Sequence, residues 1–176
     1  MHAWNNRKTS GWRAGIPALT TIPVWGFLLW LQFSQGIEPC KLCVEQRLAL
    51  LVVGLTLPAV RAAPWLQRLL LLSGLSAAVY GAGIAWSQWR LQLHPVLTDV
   101  CSVSPQNHAW LARLPHCVAS LFTPQGDCAL IPWTLLGQPL SLWSAVYFAM
   151  LAAGYGLLLA ALSPERTDEP PVIGED

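Results

Sequence analysis

The sequence predicts an all-α membrane protein: one domain over residues 1–176, a bundle of four transmembrane helices with one short and one long loop on the same side. Three observations lead there. The chain is 54% hydrophobic and only 11% charged, where soluble proteins carry about a quarter charged residues. Its apolar residues fall in long charge-free runs of the length that crosses a bilayer. Ten tryptophans, many at the ends of those runs, suit an aromatic belt at the lipid–water interface. A soluble chain of this size has no interior large enough for so much apolar surface, so lipid must serve as part of its solvent.

The first run, residues 14–37, has no charged residue and predicts a span over 14–34. Pro17 and Pro23 lie in its first half, which a membrane helix tolerates. Arg7, Lys8 and Arg13 before an apolar stretch also fit a secretory signal. The run is longer than such a segment, lacks a small-x-small cleavage site and leads directly into a cysteine motif, so it is read as a retained helix. The second span is expected over 44–60, with Glu45 and Arg47 in its opening turn. The third, over 69–89, carries Gly74, Ala78, Gly81 and Ala85 at three- and four-residue spacing, a small-residue stripe that lets helices approach closely in lipid. The fourth is expected over 141–162, within the charge-free stretch that follows Asp127. Pro132, Gly137 and Pro139 mark the residues before it as loop or surface-lying chain. The polar tail 163–176, with Asp168, Glu169, Pro170 and Pro171, is expected to be disordered.

The connections are unequal. Residues 35–43 hold Cys40 and Cys43, a tight turn from Arg61 to Arg68 joins the middle spans, and residues 90–140 hold Cys101, Cys117 and Cys128. Positive charge sets the orientation. Both termini and the tight turn carry Arg7, Lys8, Arg13, Arg61, Arg68 and Arg166. The opposite side has Lys41, Arg47, Arg90 and Arg113 over nearly twice as many residues. The denser side is expected to be cytoplasmic, which puts both cysteine-bearing loops in a periplasm, where disulfides persist. A net charge of +1 without a basic stripe argues against nucleic-acid binding.

The strongest chemical signal is Pro39-Cys40-Lys41-Leu42-Cys43 with Arg47 four residues on. Two thiols separated by two residues can close and reopen a small disulfide ring, and the pairing tends to lower one thiol's pKa. The N-terminus of the second helix adds positive partial charge near Cys43, and Arg47 follows one turn later on the same face. A fixed cation where the chain enters lipid needs a partner, and a polar ligand at the membrane rim would serve. The competing readings are a half zinc site completed by His94, His108 or His116, headgroup snorkelling by Arg47, and a static disulfide. The histidine spacing matches no compact zinc pattern, and no histidine lies inside a predicted span to ligate haem; no metal site is expected. In the long loop, Gly126-Asp127 predicts a turn just before Cys128. Residues 109–114 and 118–122 read equally as a surface-lying amphipathic stretch or as ordinary folded loop.

Taken together, these residues resemble the DsbB family of membrane thiol oxidases. The similarity covers residues 20 to 150: Pro39-Cys40-x-x-Cys43 with Gln46-Arg47, Leu91-Gln92-Leu93, Gly126-Asp127-Cys128-Ala129, then Trp133, Leu136-Gly137, Pro139 and Trp143. The resemblance implies a multi-pass protein of the bacterial inner membrane, both termini cytoplasmic. Such a protein re-oxidises a DsbA-like periplasmic dithiol and passes the electrons to the membrane pool of ubiquinone or menaquinone. It implies Cys40 and Cys43 as the quinone-proximal pair, with Cys43 meeting the quinone and Arg47 holding a quinone oxygen. It implies Cys101 and Cys128 as the loop pair, Cys101 taking the mixed disulfide with the partner and Cys128 exchanging with Cys40. Cys117 has no counterpart in the family pattern; a spare buried thiol is the favoured reading, beside a resolving residue or an alternative partner for Cys101, and Gln88 and His94 receive no role. Two rivals differ in kind. Vitamin K epoxide reductase relatives carry their CxxC near the last span, after the long loop, unlike this chain. A membrane scaffold with static structural disulfides would have no need of Arg47 one turn from Cys43.

Overall fold

The computed structural model describes residues 16–56, 59, 62–94, 115, 119, 121–124, 126–131 and 133–162. Cys101, Cys117, residues 109–114 and the tail expected to be disordered lie outside them. The described residues form helix α1 (Thr21–Gln35), α2 (Lys41–Leu55), α3 (Pro64–Leu93), a hairpin of β1 (Thr134–Leu135) and β2 (Gln138–Pro139), and α4 (Leu140–Ala161). A helical turn precedes α1, so its apolar helical stretch is continuous over Ile16–Gln35. That stretch, α3 and α4 are each long and apolar enough to cross a membrane. At 15 residues α2 is about 22 Å long, shorter than a full hydrocarbon crossing.

The helix ends follow local chemistry rather than the limits of the charge-free runs. Gly36, at φ 63°, stops α1 in the left-handed conformation that a side chain disfavours. The second helix starts at Lys41, three residues ahead of the predicted span, because Cys40 caps it. Pro64 opens α3 at a position where its missing N–H costs nothing. The helix then runs to Leu93, taking in Arg68 and Arg90, which bounded the predicted span. Arg68 lies where α3 begins and its Nη2 donates to the Leu162 carbonyl at the end of α4, 3.0 Å away. The hairpin pairs Thr134 with Pro139 and Leu135 with Gln138. Its turn has positive φ at both central residues, Leu136 at 52° and Gly137 at 76°, which matches the twist of the two strands.

Packing concentrates between α3 and α4. The stripe Gly74, Ala78, Gly81 and Ala85 is buried. It receives large rings from an antiparallel α4: a Cβ on Gly74 would stand 2.6 Å from Tyr155, and one on Gly81 would collide with the Phe148 ring. Both aromatic side chains are buried. The Tyr155 hydroxyl, which would be costly in an apolar interior without a partner, lies 2.6 Å from the Thr56 hydroxyl at the end of α2. Thr56 itself donates to the Val53 carbonyl. The faces turned away from this core carry Phe33, Leu55 and Leu157, all largely exposed, as expected of surfaces that meet lipid chains. This is a helical membrane protein.

Candidate active site

The first functional side chains are placed by the start of α2. Cys40 is its N-cap, with φ −81° and ψ 170°, and its Sγ accepts the Cys43 backbone N–H at 3.2 Å. The two-residue spacing therefore puts both sulfurs at a helix mouth, beside unpaired backbone N–H groups and their positive partial charge. Cys40 is buried and Cys43 partly exposed.

The long loop returns to this point as a strand-like segment. The Gly126 N–H donates to the Pro39 carbonyl at 3.2 Å, and Gly126 and Cys40 form an isolated parallel bridge. The approach is close enough that a Cβ at Gly126 would lie 2.7 Å from the Glu38 carbonyl oxygen. The turn expected at Gly126-Asp127 is shifted onward: Gly126 is part of the bridge, and the Asp127 carboxylate accepts the Ala129 N–H at 2.9 Å, an Asx turn. These contacts bury Cys128 completely, packed with Cys40 in a small cluster bordered by Cys43, Ile84 and Leu91. Ring contacts fasten neighbouring loop residues to α1, Phe122 against Trp25 and Trp133 against Phe27.

From α3, Gln88 reaches the same sulfurs. Its Nε2 is 3.5 Å from Cys40 Sγ and 3.4 Å from Cys43 Sγ, and its Oε1 accepts from Gln46 Nε2 at 2.7 Å. The Cys40 thiol and the Gln88 amide therefore both reach the Cys43 sulfur. Cys40 is pushed up, by its hydrogen bonds with Cys128 and Cys43 and by burial.

One turn into α2, the Arg47 guanidinium is buried. Its Nη1 donates to Gln32 Oε1 on α1 and to the Leu121 carbonyl, each at 2.7 Å. Both partners are neutral, so they solvate the cation without cancelling it. A cavity opens between these groups, lined by Gln32, Cys43, Gln46, Arg47 and Gln88 and walled by Leu28, Leu31, Ile37, Leu130 and Trp133. At its edge, Gln92 Nε2 donates to the Leu130 carbonyl at 3.0 Å and Gln92 Oε1 accepts from the Ser141 hydroxyl. Among the described residues no group of three or more His, Cys, Asp or Glu could hold a metal ion.

Of the residues singled out in the sequence, the fold brings together Cys40, Cys43, Cys128 and Arg47; Cys101 falls outside the described residues. Sequence reasoning missed Gln88, Gln32 and the bridging part played by Gly126. The available signal was an amide side chain within an otherwise apolar span, since such a group is retained in lipid only with a partner.

This chain matches, over residues 12–158, the family described as "Disulfide bond formation protein DsbB". It is 32% identical over 153 residues to a "Disulfide bond formation protein B" of Polaromonas naphthalenivorans (strain CJ2), covering 85% of this chain and 90% of the relative. The protein of the same description in Verminephrobacter eiseniae (strain EF01-2) is 35% identical over 137 residues, 76% of this chain and 75% of that one. The one in Pasteurella multocida (strain Pm70) is 33% identical over 140 residues, 76% and 74% of the two chains. With helices built to span a bilayer and a family match over most of its length, the chain belongs to the DsbB family of membrane disulfide bond formation proteins.

Proposed function

We propose that this chain is a protein-disulfide:quinone oxidoreductase of the bacterial inner membrane, which re-oxidises a DsbA-type periplasmic dithiol and delivers the electrons to the quinone pool. The observation that carries this reading is the single cluster of Cys40, Cys43 and Cys128 beside a cavity with Arg47 in its wall. The membrane arrangement that suits it has four crossings, α2 among them, both termini cytoplasmic and the cysteine loops periplasmic.

The cavity fits a quinone headgroup: apolar walls for a flat ring, a cationic donor for a carbonyl oxygen, and Cys43 on the lining. Bound there, ubiquinone or menaquinone would supply a sink for two electrons and two protons. Each remaining step is thiolate attack at a disulfide sulfur. A partner thiolate attacks Cys101 of the Cys101–Cys128 disulfide, forming a mixed disulfide and releasing Cys128. Cys128, held on Cys40 by the Gly126 bridge, attacks the Cys40–Cys43 disulfide there and releases Cys43 as thiolate. The partner's second thiol then displaces Cys101 and leaves as a disulfide. Cys101 attacks Cys128 of the Cys40–Cys128 bond, restoring the loop disulfide and leaving Cys40 and Cys43 reduced. Arg47 orients the acceptor at Cys43, and the pair returns to its disulfide as its two electrons leave.

The test is quinone reduction by the purified protein with a reduced thioredoxin-like donor, followed as loss of quinone absorbance. Turnover is expected, and Cys43→Ser should abolish it. Undiminished turnover in Cys43→Ser would sink the assignment. No turnover with several donors and quinones would favour the scaffold with structural disulfides.

A further inference from the structure

Gln46 and Gln88 are both buried, on different helices, and the relay of thiols as written gives neither of them a task. Their hydrogen-bond directions form one chain: Gln46 Nε2 to Gln88 Oε1 at 2.7 Å, then Gln88 Nε2 onward to Cys40 Sγ at 3.5 Å and Cys43 Sγ at 3.4 Å. An amide has two donors on nitrogen and only acceptors on oxygen. With Oε1 engaged by Gln46, the Gln88 NH2 group is the end that faces the sulfurs, and its two hydrogens match the two sulfurs. A flipped Gln88 would set a carbonyl oxygen against a thiolate and an N–H against the Gln46 N–H, losing both contacts.

The geometry points to Gln88 as a positioning residue whose amide, locked by Gln46, grips the Cys40 and Cys43 sulfurs and stabilises the reduced form of the pair over its disulfide. This rests on the oxidoreductase reading proposed above, and adds the means by which the pair stays oxidising. A sulfur in a disulfide is a weak acceptor, whereas a thiolate is a strong one, so the grip tightens on reduction. A dithiol stabilised in this way makes its disulfide a stronger oxidant. In the equilibrium used to measure this, the Cys40–Cys43 disulfide and two glutathione thiols give the Cys40 and Cys43 thiols and one glutathione disulfide. Two electrons and two protons move to the protein, one proton being lost again where Cys43 is a thiolate.

Other titratable and charged groups lie around the pair. Cys40 and Arg47 belong to the start of α2, Glu38 precedes it, and Cys128 and Asp127 come from the long loop. From α1 and α4 the facing side chains are Gln32, Ser141 and Ser144, which carry no charge. Arg47 is the cation on this cavity, and Glu38 and Asp127 are its carboxylates. Gln88 is a neutral side chain that touches both sulfurs, so its contribution does not depend on ionic strength.

The experiment uses the full-length chain in lipid nanodiscs with Cys101, Cys117 and Cys128 replaced by alanine in every sample. The rate of Cys43 alkylation is read by mass spectrometry as a function of pH, and the Cys40–Cys43 pair is equilibrated with glutathione buffers. Gln88→Met, similar in size and without donors, is expected to move the alkylation midpoint up by about one unit, which slows alkylation about tenfold at pH values below both midpoints. The glutathione equilibrium should move toward the disulfide in step. Gln46→Met, which leaves Gln88 in place but unlocked, should act in the same direction and by less. A merely structural role for Gln88 would lower stability and leave midpoint and redox equilibrium where they are. An unchanged midpoint in Gln88→Met overturns the proposal; if that variant does not fold, an unchanged midpoint in Gln46→Met does so instead. Quinone reduction by the unaltered chain is followed in parallel. Its absence would remove the oxidase reading, while the thiol measurements, made without quinone or partner, judge the amide grip alone.

Discussion

Replacing Gly126 by alanine should uncouple the long loop from the cysteine pair. The added Cβ would stand 2.7 Å from the Glu38 carbonyl oxygen and 3.5 Å from the Cys40 nitrogen. Both are backbone atoms, so no side chain can rotate out of the way; the two segments must separate. Separation breaks the Gly126 N–H bond to Pro39, now 3.2 Å, at about 0.5–1.5 kcal/mol. Residual crowding in any docked state adds about 1–3 kcal/mol. The smaller entropy that alanine brings to the unfolded chain acts alike on docked and undocked folded states and drops out. At about 1.4 kcal/mol per factor of ten, the docked population falls somewhere between about 10-fold and about 1000-fold. The assay is the rate of Cys40–Cys128 disulfide formation under mild oxidation, with Cys43, Cys101 and Cys117 replaced by serine. Gly156→Ala, at a glycine with nothing within 4 Å, serves as the control. An unchanged rate in Gly126→Ala would show that the close approach at Glu38 does not hold Cys128 against Cys40, and the reasoning would fail.

Arg47→Ala removes a donor shared by Gln32 and the Leu121 carbonyl, and the cation that faces the cavity. Losing a charged donor at about 1.5–3 kcal/mol should raise the quinone KM by about 10- to 100-fold with a smaller change in kcat; an unchanged KM would exclude Arg47 from quinone binding. Gly81→Ala, with its Cβ driven into the Phe148 ring, should destabilise the bundle by about 1–3 kcal/mol, read by thermal unfolding in detergent. Gly83→Ala, two residues along the same helix with nothing within 4 Å, should be neutral or slightly stabilising. Tyr155→Phe loses the 2.6 Å contact with Thr56 while Thr56 keeps its bond to the Val53 carbonyl, so the expected loss is about 0.5–1.5 kcal/mol.

Much of the bundle was legible because lipid imposes a simple rule on composition. The small-residue stripe of α3 was readable from spacing alone and is the face that packs against α4. The helix runs past the predicted span of 69–89 at both ends, since charge-free length measures what lipid tolerates and not where helical hydrogen bonding stops. Arg68 and Arg90 lie inside α3 for that reason. The pair Cys40 and Cys43 and the cation one turn on were legible because three- and four-residue spacings are local. Gln88 was not: its partners are Gln46, Cys40 and Cys43, and only the packing of α2 on α3 brings them together. The hairpin was hidden for another reason. Pro132, Gly137 and Pro139 marked loop or surface-lying chain, but Leu136 at positive φ has no sequence signal, and two-residue strands are too short for an alternating pattern to register.

The rings seated in the α3 glycines set a length scale for the whole protein. Gly74 and Gly81 are two helical turns apart, and so are Tyr155 and Phe148, running the opposite way. Two notches and two keys at equal pitch fix the axial register of α3 and α4, because a slide of one residue would unseat both rings at once. When the surrounding bilayer thickens or thins, this pair can answer by leaning as a unit, while the gap between Gln92 on α3 and Ser141 on α4 stays constant. The joint thereby acts as a mechanical gauge block, insulating the dimensions of the cavity beside the cysteines from the thickness of the membrane that holds it.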